Sequence, residues 1–202
     1  MAHPHPATRG LGAAHEQRRR DILEAVFAIV DEQGAGQVTI RNVAKAAGIS
    51  PGRVQHYFAT KDALLAAAFT AVNEAGAENV RRRLAAAGAE GDEAILAAIL
   101  TELIPADPEH RRLARVAQAF EVYALPRPEL RGRLGEDYDR LLALVAGLLP
   151  VGADSSSLAM ELIALANGLG WMTVVGGADP SEGRRLVEGR LREIFAKGES
   201  SA

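Results

Sequence analysis

The sequence predicts an all-α protein of about nine helices, and three features predict it. Apolar residues recur at steps of three and four along nearly the whole chain, with no convincing strand alternation. Gly, Pro and capping residues interrupt that spacing at helix-length intervals. A chain of 202 residues suffices for one large domain, or for a small head joined to a larger body.

The elements follow in order. Residues 1–14 begin with Pro, Gly and His mixed without periodicity, which predicts a disordered tail. From His15 to about Gln33, Ile22, Leu23, Val26, Phe27 and Val30 form one helical stripe, stopped by Gly34 and Gly36. Thr39 is placed to cap a short helix over about 40–47. Gly48 and Ile49 make a turn, and Ser50-Pro51 opens a third helix as cap and first residue. Thr60 caps a long helix that starts at Lys61 and runs into the 80s. Further helices are expected over about 92–104, 108–124, from Pro128 to before Pro150, 154–175 and 180–197. These signals divide the chain into the tail, a three-helix head over 15–60 and a body over 61–202.

Composition narrows the function. The chain has no cysteine, which excludes disulfides, thiolate metal sites and thiol nucleophiles. No apolar run approaches the roughly 20 residues of a membrane span and nothing resembles a secretory signal, so a cytoplasmic protein with no membrane partner is expected. Arginine outnumbers lysine 20 to 3, a bias of GC-rich, bacterial genomes. The net charge is −3, but residues 1–66 carry 8 Lys/Arg against 6 Asp/Glu, while 67–202 carry 15 against 20. A head at +2 joined to a body at −5 is the asymmetry to explain.

The informative stretch is TIRNVAKAAGISPGRVQHYFATK, over 39–61. Two short helices crossing steeply leave room only for small side chains where they touch, and Ala44 and Ala47 supply them. Gly48 suits the left-handed turn. Val43, Ile49 and Val54 sit at offsets that close a small core from three directions. The set predicts a helix-turn-helix, whose second helix enters the DNA major groove; a helical hairpin inside a bundle is the alternative. With Val54 inward, a step of about 100° per residue puts Gly52 and His56 opposite the core, flanked by Arg53 and Gln55. Ser50 and Tyr57 fall on the shoulders. Arg, Gln and His reach base edges, Ser and Tyr hydroxyls reach phosphates, and the face carries no carboxylate. Gly52 costs about 1 kcal/mol of helix propensity, which makes sense where that face comes close to a partner. Lys61 adds a cation to a helix N-terminus, a setting that suits phosphate.

The run T-x-x-x-V-A-x-x-A-G-I-S-x-G-x-V-x-x-Y-F-x-x-K-x-x-L over 39–64 resembles the DNA-binding region of the tetracycline-repressor (TetR) family. The helical remainder fits the same family over nearly the whole chain. The resemblance implies a homodimeric transcription regulator without catalytic residues, cofactor or metal, usually a repressor released from a palindromic operator by a small molecule. It assigns DNA contact to Thr39, Ser50, Arg53, Gln55, His56, Tyr57 and Lys61. Many members have an aromatic residue where this chain has Gln55, which is able to read adenine bidentately, so operator preference does not carry over. The rival reading is a helical small-molecule-binding protein or enzyme whose head no longer binds DNA.

The body is less specific. Leu158, Leu162, Leu165 and Leu169, with Leu191 and Ile194 on the last helix, form apolar stripes suited to a dimer interface; ordinary intrachain core is the alternative. Phe120, Glu121, Tyr123, Tyr138, Asn167 and Trp171 are the candidates for lining an effector pocket, with Trp171 equally placed for the dimer interface. His3, His5 and His110 lack a second ligand at helical spacing, and Gly176-Gly177 lacks any phosphate-loop frame.

Overall fold

The structure, a computed structural model, describes residues 6–150 and 154–199. Among them nine α-helices succeed one another without a strand: α1 (Pro6–Gln33), α2 (Ile40–Ala46), α3 (Pro51–Tyr57), α4 (Lys61–Ala87), α5 (Asp92–Glu102), α6 (Pro108–Ala124), α7 (Pro128–Gly147), α8 (Ser155–Val174) and α9 (Pro180–Glu199). One 3₁₀ turn, Ala35–Gln37, follows α1.

Capping sets the boundaries. The side chains of Thr39, Ser50, Asp107 and Asp154 accept the backbone N–H groups of Asn42, Arg53, His110 and Ser157. Each satisfies a donor that a helix start leaves open. Between α2 and α3, Gly48 has φ +65°. Its N–H reaches the Lys45 carbonyl at 3.3 Å and that of Ile49 reaches Ala44 at 3.0 Å, the paired bonds that a left-handed glycine allows at a helix end. Gly176 and Gly177 close α8 with the same pair of bonds, a turn as expected.

The tail expected over 1–14 is corrected in its larger part: the chain is helical from Pro6, and residues 1–5 lie outside the described residues. Proline is tolerated in a first turn, and extending an already nucleated helix adds a hydrogen bond per residue, which offsets the glycines at 10 and 12.

Packing divides the chain into two compact units. The first runs through Ala71 and includes Val116–Tyr123 of α6; the second comprises Val72–Arg115 and the chain from Ala124. Both α4 and α6 are continuous across a boundary, so compactness does not divide the chain at residue 60. In the first unit α2 packs against α1 and α3 around Ile22, Val26, Val38, Val43 and Val54, all fully buried.

The second unit is centred on Leu96, Leu100, Ile104, Val145, Leu162 and Leu191. Here the expected dimer stripe divides between residues buried in the subunit's own core and residues only partly covered by it. Leu162, Leu191 and Ile194 are buried in this core, and Leu158, Leu165 and Leu169 pack against it. Periodicity identifies an apolar face but not what covers it, and α8 is apolar on both faces. Its other face leaves Met160, Trp171, Met172 and Val175 exposed, with Leu186 on α9. For the same reason α8 is, by length and composition only, long and apolar enough to cross a membrane, contrary to the expectation from sequence. Its Glu161 instead receives the Arg190 guanidinium of α9 at 2.8 Å, which holds the carboxyl below the usual range.

The C-terminal end of α5 locks this unit. The Arg184 guanidinium donates twice to the Ile104 carbonyl, at 2.9 and 3.2 Å, and Gly170 of α8 abuts the Leu103 carbonyl so closely that an added Cβ collides with backbone. Gly170→Ala is therefore expected to destabilise the protein by about 3 kcal/mol, measured as a fall in the urea or thermal midpoint with helical content retained.

Candidate nucleic-acid interface

The interface is built on α3, seven residues with one buried side chain, Val54. Pro51, Gly52, Arg53, Gln55 and His56 are all exposed, which is the face that the helical spacing predicts. Phe58, buried just after the helix, donates its N–H to the Val54 carbonyl and fixes the other end. Ser50 Oγ accepts the Arg53 N–H at 3.2 Å and Thr39 Oγ1 that of Asn42 at 3.1 Å. Both hydroxyls are thus held in place by lone pairs, and their own hydrogens can still donate to an anion.

Gly52 is the informative glycine of this face. An added Cβ there meets nothing within 4 Å, so no contact within the chain requires glycine.

Tyr57 is half-buried, its ring 4.6 Å from that of His15 and edge-on to His56 at 5.4 Å. Lys61 starts α4, as expected, but its ammonium is engaged within the first unit. Lys61 Nζ donates to the Gly36 carbonyl at 3.0 Å and lies 4.9 Å from the centroid of the Tyr123 ring. The Tyr123 hydroxyl in turn donates to Asp62 Oδ1 at 2.9 Å. An ammonium has three donors, so this placement orients Lys61 and remains compatible with a phosphate contact.

Two exposed cations escaped the sequence reading. Arg41 and Lys45 stand one turn apart on α2, on the face away from buried Val43 and Ala44. The spacing i, i+4 opposite two inward residues was the available signal. Among the described residues, Arg41, Lys45 and Arg53 have no carboxylate within 4.0 Å. By contrast Arg81, Arg83, Arg112, Arg140 and Arg190 in the second unit each pair with one. Unpaired donors on a carboxylate-free face suit a polyanion.

The six candidate effector contacts separate. Phe120, Glu121 and Tyr123 fall in the first unit, where Phe120 is buried and stacks on Phe69 at 4.6 Å, rings 18° apart. Tyr138 and Asn167 come together, with Leu142, Met160, Ile163 and Ala164, around an open concavity of about 270 Å³ between α7 and α8. Trp171 is 53% exposed and lies outside that lining. His110 has a partner that spacing did not reveal: its Nε2 lies 3.5 Å from Glu102, which also accepts from Asn79 at 2.8 Å.

Residues 22–68 match the family model for bacterial regulatory proteins of the tetR family, and residues 92–196 that for the C-terminal part of BetI-type transcriptional repressors. The HTH-type transcriptional regulator PksA of Bacillus subtilis is 34% identical over 77% of this chain and 78% of its own. The regulator BetI 1 of Chromohalobacter salexigens is 29% identical over 92% and 94%. A TetR-family regulator from Rhodococcus shares the fold, with a TM-score of 0.76 at 21% identity, over 88% of this chain and 98% of that one.

Gly52→Ala tests whether the outer face of α3 meets a partner. The substitution is expected to stabilise the protein by up to about 1 kcal/mol in urea unfolding. Fluorescence anisotropy should nevertheless show at least a tenfold loss of affinity for a DNA duplex selected by the wild type. Unchanged affinity would mean that nothing approaches Gly52.

Proposed function

The chain belongs to the TetR family of bacterial regulatory proteins, and from that premise we propose a homodimeric repressor released from a palindromic operator by a small molecule. The observation that carries this reading is the exposed, carboxylate-free face of α3, with its unpaired donors. Arg53, Gln55 and His56 read base edges, and Gly52 lets the backbone of α3 approach the groove floor. Thr39, Ser50, Tyr57 and Lys61 hold phosphates, joined by Arg41 and Lys45. Residues 15–60 supply DNA recognition, and 61–202 dimerisation and effector binding. The reading assigns no catalytic residue, cofactor or metal, and places the protein with the chromosome in the cytoplasm.

Dimerisation uses the outward face of α8, where Met160, Ala164, Trp171 and Val175 are exposed at steps of four, seven and four residues, helped by Leu186 of α9. This face replaces the buried leucine stripe. A dimer also meets a physical need, because one short helix reads few bases and two on a palindrome multiply the discrimination. The effector is taken up in the body, with Tyr138 and Asn167 as the polar contacts. Within the first unit, Phe120 and Tyr123 of α6 hold Phe69, Asp62 and Lys61 of α4.

Two experiments test the reading. Arg53→Ala/His56→Ala is expected to abolish footprint protection of the operator while leaving the dimer intact; retained protection would return the protein to the rival class, a helical binder or enzyme with a silent head. Trp171→Glu is expected to give a folded monomer in sedimentation, whereas Leu162→Ala should lower stability by about 2–5 kcal/mol without dissociating the dimer. A dimeric Trp171→Glu protein would exclude the outward face of α8.

A further inference from the structure

The DNA-binding motif begins at Thr39, yet the last turn of α3 is held from outside it. Two residues of α1, one turn apart, contact two successive residues there. His15 lays its ring 4.6 Å from that of Tyr57, with planes 36° apart, and the Arg19 guanidinium lies 5.6 Å from the centroid of the Phe58 ring. Phe58 is buried and needs no further restraint. Tyr57 is different: it is half-buried, it ends a seven-residue helix, and its other ring neighbour is the exposed His56 on its own helix. A terminal residue of so short a helix frays, and a hydroxyl meets a phosphate reproducibly only when its ring is fixed beforehand. The His15 side chain is itself half-exposed, 3.6 Å from Glu16 of its own helix, so this contact adds little to the core.

We propose that His15 is a positioning residue of the DNA interface, holding the Tyr57 ring so that its hydroxyl meets the DNA backbone, and that α1 thereby belongs to that interface. The proposal rests on the DNA-binding reading above. Ring pairs of this kind correspond to about a three- to tenfold change in an equilibrium constant, which sets the expected effect.

The test uses the full-length dimer and a duplex selected by the wild type, with affinity read by anisotropy. His15→Ala should bind three- to tenfold more weakly, and His15→Phe, which keeps a ring, should return to within about twofold of wild type. Tyr57→Phe should weaken binding, and His15→Ala/Tyr57→Phe should be no weaker than Tyr57→Phe alone, because a fixed ring without its hydroxyl has nothing to present. The thermal midpoint of His15→Ala should stay near that of the wild type. Multiplicative losses, unchanged affinity of His15→Ala, or a His15→Phe protein as weak as His15→Ala would each overturn the positioning role. Arg53→Ala separates the two levels: its loss of binding beside an unaffected His15→Ala sinks this proposal alone, whereas a wild type that selects no duplex sinks the DNA-binding reading as well.

Discussion

The first unit is organised around a helix that cannot form alone. Isolated helices below about 12–15 residues are marginal in water, and α3 has seven residues, one of them buried. Support must come from its surroundings: the Ser50 cap, the left-handed turn at Gly48, the burial of Phe58 and the α1–α2 core that receives Val54. Because neighbours supply the stability, the remaining side chains of α3 are released from packing. On the proposed reading, recognition and folding are separated on a single element, and Gly52, where an added Cβ meets nothing within 4 Å among the described residues, shows how far that separation goes.

Local signals were legible in the sequence and long-range partners were not. Caps and prolines placed the start of seven helices, because each acts on backbone groups within three residues of itself. The exposed face of α3 was legible for the same reason: one inward valine fixes the phase of a short helix. Residues 6–14 were misjudged because Gly10 and Gly12 mark a poor isolated helix, whereas here they extend a strong one. The leucine stripe of α8 was seen as an apolar face, but that Leu162 is covered by the subunit's own core was not, since spacing is blind to which neighbour arrives. Phe120 and Tyr123 were seen as aromatic residues near polar ones, but only the tertiary path of α6 reveals that they face Phe69 and Asp62.

The net charge of −3 describes no part of the molecule well. What matters is whether each cation has already met an acid. Many arginines of the second unit are spent on carboxylates of their own helix or the next one, whereas Arg41, Lys45 and Arg53 keep their full field. Counter-ions held by the protein itself gain nothing on binding a polyanion, so pairing sharpens a modest excess of two charges into a defined surface.

The inclusion of Val116–Tyr123 in the first unit bears on how such proteins diversify. A recombination event that exchanges residues 1–71 between two relatives moves the reading helix together with the start of α4 but leaves behind the segment of α6 against which it packs. The transplanted head keeps its DNA letters and inherits a foreign α6, facing Asp62 and Phe69 with side chains shaped for a different sequence. Exchange of operator preference between lineages is therefore expected to proceed by substitutions on the outer face of α3 more readily than by swapping whole heads. The exposed positions of that helix can change without disturbing the contacts that Asp62 and Phe69 make with α6.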